Sequence, residues 1–249
     1  MLLAFSAALF GAGIQDSKTA GGLAFDVVSV KPKGDKVPVQ LPDGRWTLNI
    51  VPLRYTPGRV TWTNSLDVFI EHAYSLSDWE LEGPSWIHSL IYELEAKFPP
   101  ETNMATARLM FRTMLAERFG LQFHWESRKT PGYVVSVGKD GFKLEPTTPE
   151  SGSTWMSAGL FRFSGPAEGL VGACLNYTDH PMVDKTGLAG GFYKLELRWE
   201  PTDPHAAGRH YEPGFWTALE RATGLKMEKQ TLEIRVLVVD HAERVPTPN

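Results

Sequence analysis

The chain has 249 residues, 42% of them hydrophobic and 22% charged, which is enough to bury a core in one large or two small domains and too apolar for a disordered chain. With 25 Lys and Arg against 29 Asp and Glu the formal net charge is −4, and the basic residues are scattered, which argues against a nucleic-acid partner. The lone cysteine, Cys174, excludes an intramolecular disulfide and a cysteine-built zinc site; it sits in an apolar run expected to be helical, where a buried thiol is the ordinary outcome.

Residues 1–14 are nearly all apolar or small, with no charge before Asp16. The stretch is short for a bilayer span of ~20 residues and fits the apolar core of a secretory signal, although no Lys or Arg precedes Lys18. Residues 1–22 are thus expected to hold a signal peptide and the mature N-terminus of a secreted or periplasmic protein with no transmembrane segment in its mature chain. Segment 23–59 supplies extra N-terminal strands at 25–31 and 45–51. A strand at 60–63 leads to a helix in which Leu66, Phe69, Ile70, Ala73 and Tyr74 share one face, with Asn64 or Ser65 as N-cap. Strands at 79–82 and 91–98 follow. A second helix from Met104 sets Ala107, Met110, Phe111, Met114 and Leu115 on one side and stops at Gly120, and strands 121–125 and 133–137 come next.

Segment 145–158 is rich in Pro, Ser, Thr and Gly and reads as a linker. Beyond it come a strand at 160–163, a helix over 166–177 weakened by Gly169 and Gly172, which call for a closely packed neighbour, and strands at 181–184 and 192–199. A long loop over 201–213, a helix near Phe215 that stops at Gly224, and strands 225–229 and 234–239 complete the chain. The order repeats. Tyr92, Leu94 and Glu95 recur as Tyr193, Leu195 and Glu196; Phe111, Leu115, Gly120 and Leu121 recur as Phe215, Leu219, Gly224 and Leu225. The expected fold is α+β: two similar β-α-β-β-α-β-β halves, 60–144 and 159–249, each a small sheet covered by two helices.

F-D-V-V-S-V-K-P at 25–32, G-P-S-W at 83–86, Y-E-L-E-A-K at 92–97, L-A-E-R-F-G-L-Q-F-H at 115–124, V-D-K-T-G-L at 183–188 and the closing D-H-A-E-R-V-P-T-P-N at 240–249 resemble, in the same order, a soil-associated domain of unknown function found in many copies in acidobacterial genomes. The resemblance covers 25–249. It implies a secreted protein, with related domains sometimes attached to membrane metallopeptidases, and it assigns no catalytic residue. By topology alone, each half also resembles the short N-terminal domains of secretins and TonB-dependent receptors.

Asp184-Lys185-Thr186-Gly187 matches the phosphorylated loop of ion pumps, but Leu188 replaces the next threonine, and a polar turn after a strand explains it better. His124 and Glu126, two apart on a strand, face the same way and are candidate metal ligands if His88, His180, His241 or Asp240 joins them. Trp79 and Trp86 flank Gly83-Pro84 and are candidates for a stacking surface, against a default of core packing. The loop over 201–213 carries His205, Arg209, His210 and Tyr211, and with the turn over 185–191 it is expected to border a binding surface. No serine-hydrolase elbow, phosphate loop or dinucleotide fingerprint is present. The expectation is a non-catalytic binding or interaction module without a cofactor, its partner a protein, peptide or glycan outside the cytoplasm. The rivals are a metal-dependent or hydrolytic enzyme and a sensor domain for a membrane metallopeptidase.

Overall fold

The structure, a computed structural model, describes residues 23–42, 44, 46–150, 152–203 and 210–248, and the chain divides into two compact units. The first runs up to Arg128 and resumes at Arg235; the second is Lys129–Ile234. In chain order the elements are β1 (Val27–Asp35), β2 (Pro38–Gln40), β3 (Trp46–Leu48), β4 (Val51–Thr56), β5 (Arg59–Ser65), α1 (Leu66–Tyr74), β6 (Leu81–Glu82), α2 (Trp86–Ser89), β7 (Leu90–Lys97), α3 (Met104–Phe119) and β8 (Gln122–Val137). They continue with β9 (Ser153–Ser157), β10 (Leu160–Pro166), α4 (Leu170–Ala173), β11 (Met182–Asp184), β12 (Phe192–Arg198), α5 (Pro213–Thr223) and β13 (Leu225–His241). The fold is mixed α+β.

The first unit is built on an antiparallel sheet ordered β1-β7-β5-β4. Strand β7 shows why it forms: Tyr92, Leu94 and Ala96 are buried while Glu93, Glu95 and Lys97 point to solvent, the two-residue period of a half-buried strand. On the buried face α1 contributes Leu66, Phe69, Ile70 and Ala73, and α3 contributes Met110, Phe111, Met114, Leu115 and Phe119. Beside this layer, β6 pairs in parallel with the far end of β13, Leu81 opposite Leu237.

The second unit has an antiparallel sheet ordered β12-β10-β9. Phe161, Phe163, Leu195 and Leu197 pack against Phe215, Trp216 and Leu219 of α5 and against Leu170, Val171 and Cys174. Here β11 pairs in parallel with the far end of β8, Met182 opposite Tyr133. The strand pairings of the two units share one register. Val60 faces Ala96 in the β5–β7 pair, and Phe161 faces Leu197, each 101 positions later, in the β10–β12 pair. Met182 stands 101 positions after Leu81, and its partner Tyr133 stands 104 before the partner of Leu81, Leu237.

Several elements depart from the sequence reading. Residues 166–177 form no single helix: turns of 3-10 helix at Ala167–Gly169 and Leu175–Tyr177 flank the four-residue α4. Two glycines remove about 2 kcal/mol of helix propensity from so short a segment. Only Gly169 has a close neighbour, the Phe163 ring 3.8 Å from where a Cβ would stand; around Gly172 the space is open. The expected strand 79–82 is a 3-10 turn, Asp78–Glu80, braced by a hydrogen bond from the Ser77 N–H to Glu80 Oε2 at 2.8 Å, followed by the two-residue β6. Segment 45–51 splits between β3 and β4. The strand pairs expected after each long helix are single strands of 16 and 17 residues, β8 and β13, because their polar middles keep the extended backbone while losing the apolar alternation that marks it. Strand β9 lies inside the expected linker; all five of its residues are exposed, so no hydrophobic pattern announces it.

Candidate functional site

In the second unit, the predicted turn and the predicted loop both reach strand β8. Lys185 N donates to Val135 O at 2.8 Å, the Asp184 carboxylate accepts from Thr186 N at 2.8 Å, and Thr186 Oγ1 accepts from Leu188 N at 3.2 Å. The pump-like tetrapeptide therefore uses its aspartate to hold its own turn, with Gly187 at φ 64°. Two residues before Val135, the Tyr133 ring stacks on Tyr211 at 5.8 Å between centroids and 13° between planes. Tyr211 is 43% exposed. The Tyr133 hydroxyl donates to Asp179 Oδ1 at 3.1 Å, and the His180 ring meets Tyr133 edge-on at 5.7 Å. His180 Nδ1 lies 2.7 Å from the same carboxylate oxygen, out of line for a regular hydrogen bond. Burial and the Asp179 hydrogen bond push the Tyr133 phenol up to about 12. Burial acts to raise the Asp179 carboxyl, but His180 and Tyr133 outweigh it and hold the group below its ordinary value.

The neck of the 201–213 loop is closed by Glu212. Its side chain is 1% exposed, accepts from Thr202 N at 3.0 Å and Thr202 Oγ1 at 2.9 Å, and caps α5 through Gly214 N at 3.3 Å. His210 Nε2 stands 3.8 Å from Glu212. Behind the neck, Tyr177 Oη and Trp199 Nε1 are buried with no hydrogen-bond partner among the described residues. His205 and Arg209, the other two loop candidates, lie outside the described residues.

In the first unit His124 is brought to Asp240 and Glu126, but not as a metal site. Nδ1 lies 2.8 Å from Asp240 and Nε2 lies 3.1 Å from Glu126, so the carboxylates approach opposite edges of the ring and cannot share an ion with it. Both ring nitrogens donate only in the imidazolium. The hydrogen bonds to Glu126 and then Asp240 accordingly raise the His124 pKa. Glu126 continues into a ladder through Arg128 to Glu82. His88 and His241 take separate carboxylates, Asp67 at 2.7 Å and Glu243 at 3.1 Å. Among the described residues no three His, Cys, Asp or Glu side chains are arranged to hold a metal ion. Trp86 is partly buried against the core beneath the Arg244 guanidinium, and Trp79 is partly buried in its turn; the exposed tryptophans are Trp46 and Trp155.

The sequence reading missed a shallow cleft of about 340 Å³ in the first unit. Trp62, Leu76, Glu71, His72 and Arg108 line it, and His72 Nε2 meets the Tyr55 hydroxyl at 3.2 Å. Burial first, then Arg108, lowers the His72 pKa to about 4, so its imidazole is neutral at physiological pH. One helical histidine beside an apolar face carries no sequence signal; the only local trace is Ser75, the one non-glycine residue at positive φ, 58°, among those described.

Among the described residues no helix is long and apolar enough to cross a membrane. None of the curated proteins and none of the solved structures matches the chain. A family model does match, from within α1 to the residue after β13, taking in both units. By that match over residues 67–242, the chain belongs to the family described as protein of unknown function DUF3738.

Proposed function

We propose that the chain is an extracytoplasmic, non-catalytic binding module made of two copies of one β-α-β-β-α-β-β unit, with its partner surface on the second. The apolar leader-like stretch at 1–14 and the resemblance to secreted soil-bacterial, acidobacterial proteins support the location. The shared register of β5–β7 and β10–β12, with left-handed glycines ending both α3 and α5, supports the duplication.

The observation that carries the reading is the exposed Tyr211 ring stacked on a Tyr133 whose hydroxyl is fixed by Asp179. A preorganised aromatic plane ringed by polar groups loses little entropy when a sugar or a peptide side chain stacks on it. The turn over 184–187, tied to the same strand through Lys185 N and Val135 O, and the neck formed by Thr202 and Glu212 are proposed to border it. An array of bacterial cell-wall glycans and extended peptides, probed with the wild-type chain and with Tyr211→Ala, tests the reading. Binding to one class that falls at least tenfold in the variant, at unchanged melting temperature, is expected. Binding indifferent to Tyr211 would contradict it.

A hydrolytic reading is favoured by one observation, the neutral His72 bonded to Tyr55 beside the Arg108 guanidinium. A panel of activated esters and peptides decides it: turnover abolished by His72→Ala supports this reading, and none in the wild-type chain removes it.

A further inference from the structure

We propose that the outer edge of β12 pairs with the same edge of a second copy of the chain, antiparallel and centred on Leu197. In the first unit, β7 is covered on both sides. Phe98 N donates to Gly58 O on the β5 side, so by antiparallel alternation the backbone groups of Glu93, Glu95 and Lys97 point away from β5, and there β1 takes them, with Lys31, Ser29 and Val27 opposite. In the second unit, Trp199 N donates to Gly159 O on the β10 side. The backbone groups of Lys194, Glu196 and Arg198 therefore point outward, and among the described residues no strand receives them. An open edge of this kind is a template for another strand.

The side chains select the occupant and the register. Along one face the charges alternate, Lys194, Glu196, Arg198, Glu200. Laid antiparallel on a copy of itself about Leu197, the strand sets Lys194 opposite Glu200 and Glu196 opposite Arg198, each pair twice. On the other face Leu197 meets Leu197 and Leu195 meets Trp199. Centring on Glu196 would oppose Glu196 to itself and Lys194 to Arg198, which is repulsive. Centring on Leu195 needs the outward carbonyl of Phe192, and Thr147 N already occupies it at 2.6 Å. The Leu197 register satisfies the charges and the backbone together, and a two-fold axis through it closes the assembly at a dimer.

Sedimentation velocity from micromolar to millimolar protein at low salt tests the proposal. The wild-type chain is expected to dimerise, with dissociation strengthening as salt rises. Glu196→Arg alone and Arg198→Glu alone each place like charges opposite each other twice and are expected to weaken the dimer about tenfold. The double variant restores both pairs and returns the affinity to near the wild-type value. Because Glu196 also pairs with Arg162 at 2.7 Å and with Arg198 of its own strand at 2.8 Å, the melting temperature of each variant is checked. Lys194→Glu, Glu200→Lys and their combination give the same three-way comparison without touching Glu196, and of these Glu200→Lys leaves the Lys194–Glu150 pair at 3.0 Å in place. A monomeric wild-type chain across the range, or single variants that dimerise undiminished, or double variants that fail to recover, would overturn the proposal.

Discussion

Gly120 and Gly224 end α3 and α5 at φ 56° and 75°, and they separate two costs that the sequence presents as one. A Cβ at Gly120 meets nothing closer than Glu243 Cγ at 3.8 Å, whereas at Gly224 it would strike the carbonyl of Gly141. Gly120→Ala is therefore expected to lower stability by about 1 kcal/mol, the left-handed penalty alone, and Gly224→Ala by about 3 kcal/mol, since backbone cannot yield as a side-chain tip does. Urea unfolding of both variants checks the difference; equal losses would contradict it. Such stop signals are legible because one residue type meets one backbone need. Histidine is the reverse case. His124, held by two carboxylates, has a raised pKa and contributes stability that is full below pH ~6.5 and lost as pH rises through its folded pKa. His72, lowered to about 4 chiefly by burial, contributes stability present above pH ~6.5 and lost as pH falls toward 4. NMR titration is expected to place their midpoints on opposite sides of 6.5, with Glu126→Gln moving only that of His124. A shared midpoint would refute both environments. In the sequence only Glu126, two residues from His124, marks a difference between these two rings; the rest is made by burial around His72 and by Arg108, Tyr55 and Asp240, all distant along the chain.

At the scale of elements, α1 and α3 were readable from their apolar stripes, and β7 from strict alternation. What was unreadable has a common cause: in the polar middles of β8 and β13 and throughout the exposed β9, backbone pairing persists without a hydrophobic pattern. The two long helices also start by different devices. Asn103 accepts from Thr106 N at 2.9 Å in an exposed cap, whereas the buried Glu212 caps α5 and at the same time ties down Thr202. Asn103→Ala is expected to cost about 1 kcal/mol and Glu212→Ala about 2–4 kcal/mol, since the latter loses the cap and both bonds to Thr202 together and frees the loop neck. Comparable losses in thermal unfolding would show that Glu212 acts as a cap and nothing more. Glutamate is not a strong N-cap signal and sits beside a proline, so its place in the loop could be seen only in three dimensions.

At the scale of the molecule, the α+β class was legible from repeated glycine-terminated helices and alternating strands, and the family match spans both units. The candidate site was legible in part. Tyr211 and the Asp184 turn were singled out as loop residues, but Tyr133 and Asp179, which hold the stacked ring, sit in segments that read as ordinary strand or turn, and Glu212, though inside the loop, carried no signal of its own. The aromatic surface about Tyr133 and Tyr211 is the proposed seat of the partner. Difference hydrogen exchange, with and without the glycan or peptide selected on the array, tests it most directly. Protection is expected at 131–135, 179–188 and 210–213 in the second unit, with the His72 cleft of the first unit unchanged. Protection confined to the first unit, with those three segments unaltered, would contradict it.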